Sequence, residues 1–225
     1  LLDWFVGSEG TLGVVLAAEF RLLPLPSDVI GLGLPFPTAA DALAFVVAAR
    51  AARDQGDALQ PRCLEYLDAA AFAIARDHVG GAWGAGASAY VYVEQEAFAG
   101  DELPLDGWLA LAEAHGVLAD DIQVFEGVAA LRDARRMRHA VPATLNERAA
   151  RYRADGGRKV STDWAVPYPR RAEALTMAAD VARAHGVAVA AVFGHAGNGH
   201  PHTHFVARDA AELARVEAAV DDTVR

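Results

Sequence analysis

A single cysteine, Cys63, occurs in 225 residues. Without a partner in the chain it makes no internal disulfide, which points to a reducing compartment, the cytoplasm by default. Basic residues are in deficit: 20 Lys and Arg stand against 30 Asp and Glu, a formal net charge of −10. A surface of that sign repels phosphate backbones and anionic lipid heads, so nucleic acid is a poor partner. No run reaches the roughly 18 to 20 apolar residues a spanning helix needs. The longest stretches, such as ADALAFVVAARAA, are broken by polar residues at helical spacing. No segment is low in complexity beyond an alanine bias, and no internal repeat is evident. What is abundant is core material: 53% of the residues are hydrophobic, enough for one large core or two modest ones.

The chain opens on LLDWFVGSEG, with no methionine, basic leader or signal-peptide core, and stops at DDTVR inside an uncapped helical pattern. The expectation is an internal fragment of a longer polypeptide.

Between the ends, strands and helices interleave. GVVLAAEFRLLPLP (13–26) has the β-branched start of a strand, and VIGLGLPFP (29–37) reads as another. A helix follows from Thr38 as N-cap, with Asp41 three positions on. CLEYLD is a short strand or turn and AAAFAIARDH a helix, while ASAYVYVEQEA (87–97) alternates as a half-buried strand does. DELPLDGWLALAEAHG is helical, DIQVFEG a short strand, and 128–153 a long arginine-rich helix. KVSTDWAVP is a strand closed by Pro167, then come the amphipathic helix YPRRAEALTMAADVARAHG, the apolar strand VAVAAVFGH, the strand HTHFVARD and a last helix. The pattern predicts an α+β domain, an antiparallel sheet with helices packed on one face.

Two segments carry chemistry. In VGSEGTLG (6–13), Gly7, Gly10 and Gly13 recur every third residue around Ser8, Glu9 and Thr11. Such a loop lets a ligand approach the backbone and its N–H groups; a plain glycine turn feeding a strand explains the spacing equally well. It is no nucleophile elbow, since Val6 stands where that motif needs glycine, and no Walker loop, since no lysine follows. In FGHAGNGHPHTHF (193–205), four of the eight histidines crowd into ten positions. His200, His202 and His204 alternate and so share one side of an extended strand, while a turn at Gly197–Gly199 folds His195 back toward them. Converging imidazoles are candidate ligands for a divalent metal.

Taken together the segments resemble a known family. GSEGTLG followed by LLPLP looks like the close of the flavin-binding domain in FAD-linked oxidases of the vanillyl-alcohol oxidase (PCMH) type. GHAGNGHPH is similar to the GHxGDGNxH motif of their C-terminal domain, as in D-lactate, glycolate and D-2-hydroxyglutarate dehydrogenases. In between, CLEYLD resembles an ELxD-like segment, MRHAVPATLN an arginine-bearing helix, and STDWAVP a D-x-x-VP strand.

The resemblance implies a tail of the FAD domain at 1–27 and a ferredoxin-like substrate or cap domain at 28–225, truncated at its C-terminus. It implies backbone contacts to FAD from Gly7, Ser8, Glu9, Gly10, Thr11 and Gly13, and a divalent metal, Zn or Mn, on His195 and His202. It puts Arg138 on the substrate carboxylate, with Lys159 and His204 beside it, and His202 and His200 at the proton of the substrate hydroxyl. The implied reaction is oxidation of a 2-hydroxy acid by hydride transfer to flavin, with an unidentified electron acceptor, a possible homodimer, and at most peripheral membrane association through that acceptor. The chain departs from the family pattern at Asn198 and His200, which replace Asp and Asn, and at His204, often Asn. It also stops short of a Glu-His-Gly segment of the family. Two other classes stay open: a metal-dependent hydrolase on His195, His200, His202 and Asp163, and a non-catalytic ferredoxin-like module with adventitious chelation.

Overall fold

The computed structural model describes residues 2–80 and 83–224, so Leu1 and Arg225, the outermost residues of the two expected segments, lie outside it. Among the described residues, seven strands form one sheet: β1 (Asp28–Phe36), β2 (Pro61–Asp68), β3 (Ala89–Ala97), β4 (Gln123–Glu126), β5 (Lys159–Ser161), β6 (Ala191–His195) and β7 (His200–Val206). Their order is β4-β1-β3-β2-β6-β7-β5, and every neighbouring pair is antiparallel. The helices are α1 (Leu2–Phe5), α2 (Ala39–Asp54), α3 (Ala69–Val79), α4 (Leu105–Ala114), α5 (Gly127–Ala150), α6 (Arg171–Ala184) and α7 (Ala210–Thr223). β3 is inserted between β1 and β2, so α2 joins strands that are not neighbours, a split β-α-β unit.

Local chemistry sets the strand-to-helix turns. Thr38 is extended and its hydroxyl accepts the Asp41 N–H at 3.1 Å, starting α2 where the sequence places it. Asp68 does the same for α3 with Ala71 N–H at 2.8 Å, and Asp209 for α7 with Glu212 N–H at 2.7 Å. Each such cap contributes about 1 kcal/mol.

The α+β class and the antiparallel sheet are as expected, but helices cover both faces of the sheet rather than one. β3 shows why. Its Ala89, Val91 and Val93 join Leu34, Phe45 of α2 and Trp108 of α4 in one core, while Tyr90 and Tyr92 join Phe72 of α3 and Met137 of α5 in another. The half-buried strand of the sequence reading is therefore a central one, buried on both sides. Its alternation is aliphatic against aromatic and acidic, and each kind has its own cover: Tyr90 stacks on Phe72 with centroids 4.9 Å apart, and Glu94 is gripped by Arg135. A third cluster packs Phe205 of β7 under α6 and α7.

Two strand expectations are corrected. Residues 13–26 form no strand: the segment has no regular secondary structure, and Leu16, Phe20, Leu22 and Leu25 are exposed. A backbone segment becomes a strand only when a neighbour takes its N–H and C=O groups, and no described strand does. KVSTDWAVP pairs as β5 over Lys159–Ser161 alone. Thr162 still donates to the Thr203 carbonyl at 3.0 Å, then the chain leaves the ladder and returns at Val166, whose N–H meets Gly199 O at 2.9 Å. No described helix is long and apolar enough to cross a membrane.

Candidate functional site

The β6–β7 hairpin assembles the histidines. Its register sets His195 opposite His200, Phe193 opposite His202 and Ala191 opposite His204. The period of two along each strand then directs all four imidazoles to the sheet face that α3 and α5 cover. The hairpin turns through Ala196–Asn198 and a left-handed Gly199 (φ 66), where a Cβ would collide with the Val166 carbonyl. Glycine is required there, and the close approach ties the turn to the segment carrying Asp163.

Three of the four rings converge. His200 and His202 have centroids 4.6 Å apart, and His195 lies 5.8 Å from His202 and 6.0 Å from His200. His204 lies 6.2 Å from His202 alone, 5% exposed and stacked on Phe193 at 4.3 Å. Burial, helped by the Lys159 and His202 charges, pushes its imidazole down to about 4, so it is a neutral core ring.

Asp163 closes the group. Its Oδ1 is 2.6 Å from His200 Nε2 and 3.6 Å from His202 Nδ1, and the ligand atoms of the three residues lie within 4.8 Å of one another. Two imidazoles and a carboxylate at this spacing fit a first-row divalent ion with open coordination positions. His195, expected as a ligand with His202, borders this group with its Nδ1 held by a carboxylate outside it.

Its partner is Glu65, directly across the β2–β6 ladder. Glu65 Oε1 is 2.6 Å from His195 Nδ1, and Oε2 makes an ion pair with Arg138 Nε at 2.9 Å. The carboxylate is 7% exposed and flanked in sequence by buried Leu64 and Tyr66. Arg138 reaches it from α5, which Met137, Val141 and Leu145 anchor to the sheet. Pro142, four residues further along α5, has no N–H, which leaves the Arg138 carbonyl without its helical partner.

Beside this pair, Arg135 grips Glu94 bidentately, both contacts at 2.9 Å, and Tyr92 donates to the same carboxylate at 2.8 Å. Burial works to raise the Glu94 carboxyl, but these donors outweigh it and hold it below the usual range. A cleft of about 280 Å³ opens between Arg138, Arg135 and the two buried glutamates. Cys63 borders the cleft, its thiol pushed up to about 12 by burial and then by Glu65 and Glu94, so it stays protonated and is no nucleophile.

Two other groups of expected residues stand away from the cluster. Lys159, its ammonium lowered by burial, opens on a separate cavity of about 420 Å³ with Asn146 and Arg153. The loop Val6–Gly13 is left-handed at Gly7, Glu9 and Gly10, and its described hydrogen bonds all fall between residues 2 and 11. Glu65 was missed, although a lone carboxylate inside the apolar CLEYLD was a usable signal: a buried charge needs partners.

Residues 25–225 match the family described as FAD linked oxidases, C-terminal domain, and the chain belongs to it. It is 31% identical over 210 residues to a D-lactate dehydrogenase of Archaeoglobus fulgidus, covering 91% of this chain and 41% of that protein. It is 28% identical over 222 residues to the glycolate oxidase subunit GlcD of Bacillus subtilis, covering 96% and 43%. The chain thus spans less than half the length of these relatives. Among solved structures, alkyldihydroxyacetonephosphate synthase shares the fold at a TM-score of 0.65 and 14% identity, over 97% of this chain and 42% of that one. So does p-cresol methylhydroxylase, at 0.56 and 11%, over 91% and 44%.

Proposed function

We propose that the protein carrying this chain is a flavin-linked dehydrogenase of a small 2-hydroxy acid, of the D-lactate or glycolate kind, and that this chain supplies the substrate side of the site. The observation that carries the reading is the meeting of Arg138, Glu65 and three histidines on one sheet face. Both curated relatives, named for D-lactate and glycolate, support the substrate class. Family membership favours this reading over the hydrolase and the non-catalytic module.

Arg138 holds the substrate carboxylate through the guanidinium edge that Glu65 leaves free, since a planar fork matches a carboxylate. His202, with His200 beside it, takes the proton of the C2 hydroxyl. The C2 hydrogen leaves with its electron pair and a 2-oxo acid remains. FAD, held against the Val6–Gly13 backbone, would supply the two-electron acceptor for that hydride. The Val6–Gly13 backbone suits a close approach by FAD, because Cβ atoms built at Gly7 and Gly10 would meet nothing within 4 Å. In this reading residues 1–27 belong with the flavin domain, whose surface covers the exposed Leu16, Phe20, Leu22 and Leu25. Asp163, His200 and His202 are also the group that would hold a divalent ion; imidazoles bound to it could not take the proton as well, so the ion would act in place of that base, by polarising the hydroxyl. Reoxidation of the flavin requires an electron acceptor.

The test is purification of the full-length protein and assay with D-lactate, glycolate and bulkier 2-hydroxy acids, using an artificial electron-accepting dye. Bound FAD and formation of the matching 2-oxo acid are expected. A flavin-free protein inert toward all of them would end this reading.

A further inference from the structure

A buried carboxylate that contacts two candidate site residues at once does more than neutralise charge. Glu65 directs one oxygen at His195 Nδ1, 2.6 Å away, and the other at Arg138 Nε, 2.9 Å away. Its position is fixed by the β2–β6 register and by burial of Leu64, Tyr66 and Leu67 around it.

We infer that Glu65 is a positioning residue that sets which end of each partner is free. A carboxylate only accepts hydrogen bonds, so the proton on the neutral His195 ring lies on Nδ1 and the lone pair lies on Nε2. Nε2 is then the atom that can bind a cation or take a proton. On Arg138, the ion pair falls at Nε, a charge contact without hydrogen-bond alignment, and the two terminal nitrogens are left to form the fork that a substrate carboxylate needs. One side chain thereby fixes a tautomer on β6 and a guanidinium orientation on α5, linking elements distant in sequence. The geometric part stands on the contacts alone; its catalytic consequence rests on the hydroxy-acid reading above.

The experiment uses full-length protein labelled with nitrogen-15 in histidine, at a pH where His195 is neutral, with the His195 signals assigned by its loss in His195→Gln. Long-range proton–nitrogen correlations should show the Nδ1–H form of His195 in the wild type. In Glu65→Ala that preference should be lost, with the Nε2–H form at least as populous. An Nε2–H ring in the wild type, or an unchanged tautomer in Glu65→Ala, overturns the inference. The wild-type spectrum decides even if the variant fails to fold. As a kinetic arm, Glu65→Ala should raise KM and lower kcat for the hydroxy acid by about tenfold each, with partial rescue in Glu65→Asp, a loss of roughly 1.4 kcal/mol per factor of ten. If the tautomer shifts as stated but no hydroxy acid reduces the flavin, the reaction assignment fails and the role of Glu65 stands. If the flavin is reduced but the tautomer is indifferent to Glu65, the reverse holds.

Discussion

Asp163 Oδ1 lies 2.6 Å from His200 Nε2, joining the segment after β5 to the first residue of β7. The contact exists because Gly199 lets the Val166 carbonyl approach, and because His200 stands at a register position directly opposite His195. The chain has thereby gathered two imidazoles and a carboxylate.

This donor set should bind Zn2+ and ignore Mg2+, which prefers an all-oxygen octahedral shell. Isothermal titration on metal-free protein should show one Zn2+ per chain, weakened at least tenfold in both Asp163→Asn and His200→Asn. Asp163 is exposed, so loss of folding is not the expected cause. Affinity unaffected by either substitution would place the ion elsewhere.

Arg138→Lys keeps the charge and removes the fork. Replacing a bidentate contact by a point charge costs on the order of 1 to 3 kcal/mol, which is about fivefold to 150-fold in KM for the hydroxy acid. Steady-state kinetics should show most of the loss in KM. An Arg135→Lys control should affect stability more than KM, because Arg135 is committed to Glu94.

His204 gives the acid limb a slope. Its folded value of about 4 lies below the unfolded value near 6.5, so the unfolded chain binds the extra proton first. The stability this represents is present above pH 6.5 and is lost as the pH falls toward 4. His204→Phe keeps the stack on Phe193 and removes the titration. Thermal melts between pH 7 and 4 should therefore flatten in the variant, by about 3 kcal/mol at the acid end. Parallel curves for the two proteins would show that His204 is not the cause.

Gly199→Ala places a methyl group against the Val166 carbonyl at a left-handed position. The turn must open, breaking the Val166–Gly199 hydrogen bond and moving His200 from Asp163. A loss of more than about 2 kcal/mol in urea unfolding is expected, from strain and the broken contact together. Weakened Zn2+ binding should accompany it.

Local signals were legible where one residue type decides the conformation. Thr38, with Asp41 three residues on, gave the start of α2, and the alternation of HPHTHF gave a strand with its histidines on one face. The placement of helices on both faces was not legible, because AYVYVEQE alternates in a way that suits either one wet face or two differently lined dry ones. Only the packing of Phe72 on Tyr90 and Arg135 on Glu94 distinguishes them. Residues 13–26 read as a strand because their composition is that of one, but pairing depends on a neighbour that lies outside any local window. For the site, the motifs gave Arg138 and the histidines. Glu65, 73 positions before Arg138 and 130 before His195, is connected to them only by the ladder and by α5 lying over it.

The most direct test of the central claim is single-turnover reduction of the flavin in the full-length protein, without oxygen, by D-lactate or glycolate. The account predicts that the flavin absorbance bleaches, that deuterium at C2 slows the bleaching, and that Arg138→Lys demands far more substrate for the same rate. Flavin that stays oxidised with every 2-hydroxy acid, in protein that binds FAD and is folded, would contradict it.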